Sequence, residues 1–343
     1  MLSQSLPTVS VVTPCLNQAE FLEATIRSVL SQDYPNIEYV VMDGGSTDGS
    51  LEILRRYEGS LRYWSAADKG QAEAINRGFQ LSSGEIFAFL NADDVYLPGA
   101  VSTAVQALTL DSSAAAICGK AYLMDGSGQR VGSFATGKPD IEGLRRECVI
   151  CQPAVFLRRE AFREVGLLNP LLHFALDYDL WIRLARSQKF RRVDAYLASA
   201  RVHTAAKTFS CRREALREGI DVLRSHFGYA PFQWVYEYAC DLWRMPFRFQ
   251  QPPPRSAIAW ALSVAMGSYW NSRQLFRYWG DCGRIAVSGW RHYLADYHQR
   301  SPRSWQEAKC QLYKKSRSRP IKARNAASDA TNADDLIAEQ VGG

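Results

Sequence analysis

The sequence contains no uninterrupted apolar run near the roughly 20 residues that a membrane-spanning helix requires. Its first residues, Met1–Thr8, carry neither a basic cluster nor an apolar segment of signal-peptide length, so a secretory leader is not expected. Cysteine is present but unpatterned. Eight are spread irregularly over 343 residues, which argues against a small disulfide scaffold and fits reduced thiols in a cytosol. Cys148 and Cys151 form one CxxC with no second pair at zinc spacing, so two buried thiols are expected there. Glycine is missing where a dinucleotide site needs it: Thr13-Pro14-Cys15-Leu16-Asn17-Gln18 follows the first strand-like run in place of G-x-G-x-x-G. A G-x-x-x-x-G-K-[ST] loop is also missing. A Rossmann oxidoreductase and a P-loop NTPase are thereby disfavoured.

At 47% hydrophobic and 22% charged residues, the composition argues against wholesale disorder, and the length suits one large domain with an extension, or two domains. The net charge of +6 is mildly basic and compatible with an anionic ligand or membrane surface. The N-terminal third alternates strand and helix patterns. Val9–Val12 is a β-branched run expected to end at Thr13-Pro14, because proline cannot continue an interior strand. Residues 19–32 place Phe21, Leu22, Ile26, Val29 and Leu30 on one helical face. A second strand over 36–42 ends in Asp43-Gly44-Gly45-Ser46, where Ser46 or Thr47 is expected to cap a helix through Leu51, Leu54 and Tyr57. A strand over 61–65, a helix over 71–81 and a strand over 85–90 follow. This alternation predicts a parallel sheet with helical crossovers.

Ligands of such sheets bind beyond the carboxyl ends of the strands. The four predicted strands deliver Asn17, Asp43, Asp68 and Asp93-Asp94 to that rim. Any one of them is readily a turn or cap residue, but four on one rim point to a site.

These residues sit in motifs that resemble the opening of family 2 glycosyltransferases with the GT-A fold. Val-Val-Thr-Pro-Cys-Leu-Asn-Gln, Met-Asp-Gly-Gly-Ser-Thr-Asp-Gly, Asp68–Gly78 and Phe89–Asp94 carry the first half of the resemblance. Gln152–Phe156 and Leu176–Leu184 carry the acceptor side. The resemblance covers roughly residues 8–210, and its wording is similar to that of bacterial enzymes of exopolysaccharide, capsule or O-antigen synthesis. It implies an α/β fold with a Rossmann-like, mostly parallel sheet flanked by helices. It also implies an inverting transfer of sugar from a nucleotide-diphosphate donor to a glycan or polyprenyl-linked acceptor.

Residue by residue, the resemblance implies that Asp43 meets the donor base in a pocket lined by Thr13, Pro14 and Asn17. Asp68 would help hold base or ribose, and Arg77 the diphosphate. Asp93 and Asp94 fill the place of the metal motif, for Mn²⁺ or Mg²⁺, with Asn91 where many relatives have aspartate. A hard cation held by carboxylates can neutralise a departing diphosphate. Asp177 stands where the family has its general base, preceded by Leu176 rather than a second acid, and Asp179 is expected to serve the helix N-terminus. His203 could complete the metal shell, Lys207 could meet phosphate, and Gln152 could touch the acceptor. Trp181, Ile182 and Leu184 are expected in the core.

The motifs stop near residue 212. A domain of residues 1–211 is expected, then a basic, mainly helical extension over 212–325 and a disordered tail over 326–343. Within the extension, residues 257–270 are apolar but too short to span a bilayer. The basic run from Arg303 to Arg324, opposed by Glu307 alone, fits an anionic lipid surface better than nucleic acid, for which there is no recognition module. A cytosolic location, peripheral at the inner face of the membrane, is the corresponding expectation. Two alternatives stay open: a non-catalytic sugar-nucleotide-binding subunit, and a nucleotidyltransferase, which would want a glycine- and basic-rich loop after the first strand.

Overall fold

The computed structural model describes residues 6–203, 206–242 and 255–296. The alternation expected at the N-terminus is present: β1 (Val9–Cys15), α1 (Ala19–Leu30), β2 (Ile37–Asp43), α2 (Ser50–Arg56), β3 (Arg62–Ser65), α3 (Gln71–Leu81) and β4 (Ile86–Phe89). These strands lie parallel in the order β3-β2-β1-β4. The register sets Cys15 beside Asp43 and Asp43 beside Ser65, so three strand ends share one rim.

The chain continues through β5 (Val95–Tyr96), α4 (Ala100–Leu110), β6 (Ala114–Met124), β7 (Arg130–Ser133), α5 (Ile141–Leu144), β8 (Val155–Arg158), α6 (Arg159–Val165), α7 (Leu176–Ser187) and β9 (Lys189–Arg201). The sheet extends from β4 as β8-β6-β9-β5, with β7 on β6. Here β8 runs antiparallel to both β4 and β6, while β6 and β9 are parallel. The parallel sheet predicted for the N-terminal third is therefore one half of a larger mixed sheet.

Both faces of the parallel half are covered, which is why its strands read as unbroken apolar runs. Val9, Val11, Tyr39, Val41, Ile86 and Ala88 face α1 and α4 through Leu22, Ile26, Val101 and Leu108. The alternate positions Val12, Val40, Met42, Phe87 and Phe89 face α3, α6 and α7 through Ile75, Phe79, Phe162 and Trp181. Trp181, Ile182 and Leu184 are fully buried, as expected of core residues.

Two local expectations are corrected. β1 runs through Pro14 to Cys15, with Pro14 opposite Met42. Its pairing with β4 ends at Val12–Phe89, so on that side Pro14 sits where no ladder partner is lost. α2 begins at Ser50, after Gly49 in a left-handed conformation, and neither Ser46 nor Thr47 caps it; the carboxylate of Asp48 accepts from the Ser50 N–H instead.

Beyond β9 come α8 (Lys207–Ser210), α9 (Arg212–Phe227), α10 (Phe232–Leu242), α11 (Arg255–Trp270) and α12 (Leu275–Asp296). Among the described residues no helix is long and apolar enough to cross a membrane. α9 is shared between two cores: Val222 and Leu223 pack with Trp181, whereas Ile220 packs with Phe232, Tyr236 and Tyr278 of the helical extension. The thiols of Cys148 and Cys151 are unpaired by disulfide, the first half-buried and the second buried. The triple proline at 252–254, the basic run of 303–324 and the tail after residue 325 lie outside the described residues.

Gly78 explains one glycine of the Asn76-Arg77-Gly78 motif. A Cβ there would lie 2.5 Å from Val12 Cγ1 and 3.1 Å from Met42 Cγ, so α3 approaches the sheet too closely for a side chain. Gly78→Ala is expected to destabilise by about 1–3 kcal/mol through overpacking. Equal midpoints for native and variant chains in denaturant unfolding would show that the helix can step back freely.

Candidate active site at the strand carboxyl ends

The first wall of the site is a set of turns tied to one another. The Gly44 N–H donates to the Cys15 carbonyl, and the Ala66 N–H to the Asp43 carbonyl, joining the ends of β1, β2 and β3. Asn17 takes a left-handed conformation (φ 51°), which asparagine tolerates better than most residues. Its N–H donates to Ser46 Oγ at 2.8 Å, and its Oδ1 accepts from the Thr47 N–H at 2.9 Å. The Asp48 carboxylate accepts the Ala19 N–H at the start of α1.

Asp43 is buried, 2% exposed, and its carboxylate is occupied by its own turn. It accepts from the Gly45 and Ser46 N–H groups and from the Ser46 and Ser65 hydroxyls. Thr13 is likewise buried, its hydroxyl 3.1 Å from that of Tyr39, while Pro14 is half-buried at the rim. Asp68 is half-buried against Gly44 and accepts the Gly70 N–H at 2.8 Å. Burial raises its carboxyl above the ordinary aspartate range, with Glu73 and Asp43 adding to the effect. Arg77 is exposed on α3, its backbone about 9 Å beyond Gln71 along the helix.

The second wall is the turn after β4. Asp94 points inward, 5% exposed: Oδ1 accepts the Arg201 N–H at 2.8 Å, and Oδ2 lies 3.4 Å from the Asn91 amide nitrogen. Asn91 Oδ1 in turn accepts from Gln71 Nε2 at 2.7 Å. Asparagine suits this place because its amide donates to Asp94 and accepts from Gln71, whereas a carboxylate would set a second charge beside Asp94. Burial and the neighbouring Asp93 raise the Asp94 carboxyl well above its ordinary range.

Asp93 points the other way. Its Oδ2 lies 3.2 Å from His203 Nε2, with side chains 21% and 12% exposed, and the His203 ring rests on Phe21 at 4.9 Å. Arg201 holds this turn from behind. Its Nε donates to the Asp93 carbonyl, another guanidinium nitrogen to the Asp125 and Gly126 carbonyls, and the group lies over Phe21. Of the three expected metal ligands, the structure pairs Asp93 with His203 and turns Asp94 into the protein. Among the described residues no group of three acidic, histidine or cysteine side chains converges. The pair fits Mg²⁺ or Mn²⁺, which take one or two protein carboxylates and fill their shells with phosphate oxygens and water.

The third wall comes from α7. Asp177 lies in its first turn, partly buried, its Oδ1 accepting its neighbour's N–H from Tyr178 at 2.7 Å. Burial pushes the carboxyl up to about 6, and the charge of Glu218 adds to the rise. Burial raises the Cys151 thiol, and the charges of Asp94, Cys148 and Asp177 add to the rise, so this thiol feels both carboxylates. Phe89, at the end of β4, stacks on Trp181 of α7 at 6.2 Å and fixes these walls together. Gln152 donates from Nε2 to the Phe89 carbonyl and leaves Oε1 buried without a partner. The Lys207 ammonium rests 5.1 Å from the Phe174 ring centre.

Asp179 does not cap α7 but stands in its first turn, the place expected for a dipole contact, and it pairs with Arg183 at 2.9 Å and with His226 at 2.7 Å, joining α7 to α9. Sequence reasoning gave no role to Arg201 or Glu218. The signal for Arg201 was its place two residues before His203; Glu218 lies in an otherwise ordinary amphipathic helix and had none.

The sequence profile described as Glycosyl transferase family 2 matches residues 10–166. An uncharacterized glycosyltransferase of Rickettsia felis is 32% identical over 216 residues, 58% of this chain and 35% of that protein. A PGL/p-HBAD biosynthesis glycosyltransferase of Mycobacterium bovis is 30% identical over 181 residues, 52% of this chain and 69% of that protein. The chain thus spans about a third of the length of the rickettsial relative. The crystal structure of S. aureus TarS residues 1–349 matches with a TM-score of 0.53 at 14% identity, over 85% of this chain and 91% of that one. The same fragment in complex with UDP-GlcNAc gives 0.52 at 16% identity, over 82% and 92%. These structural likenesses establish a GT-A fold.

Asp177 also bears on stability. In the folded chain its carboxyl stands at about 6, above its value of about 3.9 in an unfolded chain. Between those values the folded state holds the extra proton, so stability falls as pH rises through the window. Above it, the ionised group costs on the order of 3 kcal/mol. Asp177→Asn is therefore expected to raise the melting temperature near neutral pH and to lose that advantage below about pH 4. Thermal unfolding across pH measures this; an advantage independent of pH would contradict it.

Proposed function

The chain belongs to glycosyltransferase family 2, and on that premise we propose that it is an inverting enzyme. It moves a sugar from a nucleotide-diphosphate donor to a hydroxyl of a glycan or polyprenyl-linked acceptor in cell-surface polysaccharide synthesis. The observation that carries this reading is Asp177: a partly buried carboxylate raised to about 6, in one electrostatic neighbourhood with the turn that bears Asp93. A base near neutrality takes a proton without holding it too tightly.

In this reading the acceptor hydroxyl gives its proton to Asp177 as its oxygen attacks the anomeric carbon. Attack opposite the departing nucleoside diphosphate inverts that centre. Gln152, its amide held by the Phe89 carbonyl, would stand on the acceptor side. Asp93 and His203 would hold the Mn²⁺ or Mg²⁺, which supplies counter-charge to the diphosphate. Lys207 adds a second positive group there. Thr13, Pro14 and Asn17 shape the donor pocket, Asp43 and Asp68 keep its turns in place, and Arg77, exposed on α3, would meet the diphosphate. The UDP-GlcNAc held by the TarS fragment supports a nucleotide-sugar donor.

The test is single-turnover transfer, with a panel of sugar nucleotides and lipid-linked and free glycan acceptors. Asp177→Asn should lower the rate by about 10²-fold or more with donor affinity unchanged, and excess chelator should stop the native chain. Nucleotide binding without transfer to any acceptor would favour a non-catalytic binding subunit.

A membrane-peripheral placement is supported by one surface. Tyr269 and Phe276 are 81% and 86% exposed around the turn from α11 to α12, beside half-exposed Trp279 and Arg273. Exposed aromatics with basic neighbours suit the interface of an anionic bilayer. Replacing Tyr269 and Phe276 by serine should reduce partition onto anionic vesicles severalfold with donor affinity intact. Equal partition would refute this placement.

A further inference from the structure

α7 is preceded by three successive backbone N–H groups that no secondary structure satisfies. Those of His173, Phe174 and Ala175 all donate to one carboxylate, Glu218 of α9, at 2.9, 2.6 and 2.6 Å. Successive N–H groups of this kind form a concave nest for an anion. α9 lies outside the residues that the family profile matches. It is clamped to α7 further along by His226 on Asp179 and by Arg186 on the His226 carbonyl. Glu218 is therefore held by a rigid element and reaches the segment that leads directly into Asp177.

Resting on the assignment of Asp177 as the base, we propose that Glu218 is a positioning residue for it: its carboxylate fills the nest and fixes the turn from which Asp177 projects. Glu218 contributes charge as well as shape. The groups that face Asp177 are Glu218 from α9, the Cys151 thiol from the segment before β8, and Tyr178 on its own helix. Lys207, on α8, feels Glu218 too. Glu218 opposes ionisation of Asp177, whereas the Tyr178 N–H favours it. One side chain thus fixes the place of the base and adds to a proton affinity that burial chiefly raises.

Glu218→Gln keeps the reach but removes the charge and replaces one of the two accepting oxygens with an NH₂ group that cannot accept from the nest. Amide hydrogen exchange at residues 173–175 should quicken by about 10-fold or more. The Asp177 carboxyl, followed by carbon NMR, should titrate at lower pH. Transfer should fall by about 10-fold or more at unchanged donor affinity, with its acid limb moved in the same direction. Glu218→Asp keeps the charge and should leave the acid limb near the native position while still loosening the nest. A purely structural residue would lower the melting temperature and leave the Asp177 titration unmoved; that result, or native exchange rates in Glu218→Gln, overturns the proposal. Exchange and titration are read without turnover, so an inactive preparation does not obscure them. Native-rate transfer by Asp177→Asn would instead overturn the base assignment, and this proposal with it.

Discussion

The site depends on one buried carboxylate that does not face it. Asp94 takes the Arg201 backbone N–H and so ties the turn after β4 to the end of β9, strands that are not neighbours in the sheet. The Thr25 hydroxyl of α1 donates to the Asp94 and Ala92 carbonyls and holds the same turn from the other side. With Asp94 fixed inward, Asp93, the residue before it, is left to pair with His203, which the β9 end brings to it. Burying Asp94 is costly, as its raised carboxyl shows, but removing it would leave a buried N–H unpaired as well.

The surroundings are anionic. Asp43, Asp68, Asp93, Asp94, Asp177 and Glu218 belong to the walls of the site, with Lys69, Arg201 and Lys207 among the positive groups of the same segments. Most of these acids are neutralised locally, by turn N–H groups at Asp43, by the nest at Glu218 and by backbone at Asp94. Asp93 stands apart from the other five: its carboxylate is met by the His203 ring, whereas Asp43, Asp68, Asp94, Asp177 and Glu218 each accept at least one backbone N–H. The Asp93–His203 pair offers one carboxylate and one imidazole, groups of a kind that a divalent cation can use.

Much of this was legible in the sequence. Alternating apolar runs and polar strand ends predicted the parallel half of the sheet and its rim, because local periodicity encodes burial on two faces. The mixed half was not, since β8 and β9 pair with strands far away in sequence and no local pattern encodes such partners. Pro14 misled because a proline is tolerated wherever the neighbouring strand has already ended, a tertiary fact. Asp43 and Asp93 look alike in sequence, each closing a strand before a turn. Their environments differ through Ser65 on β3 and His203 after β9, contributed from 22 and 110 residues away. Asp179 stood at a helix start and read as a cap; its partner His226 belongs to a helix that the motifs do not reach.

That helix bears on where the domain ends. A boundary after residue 211 follows the last motif, but α9 does not respect it. Its Val222 and Leu223 complete the core around Trp181, and Glu218 and His226 grip α7 about 12 Å apart along one face. Ile220, between them in sequence, packs into the helical extension instead. One helix thus joins the segment that bears Asp177 to the extension through packing and charge together. A cut at 211 would leave three N–H groups unpaired and Trp181 partly uncovered, costs that fall on the α7 wall of the site rather than on the turns after β1 and β2. The extension, whatever surface it meets, is in mechanical contact with Asp177 through α9.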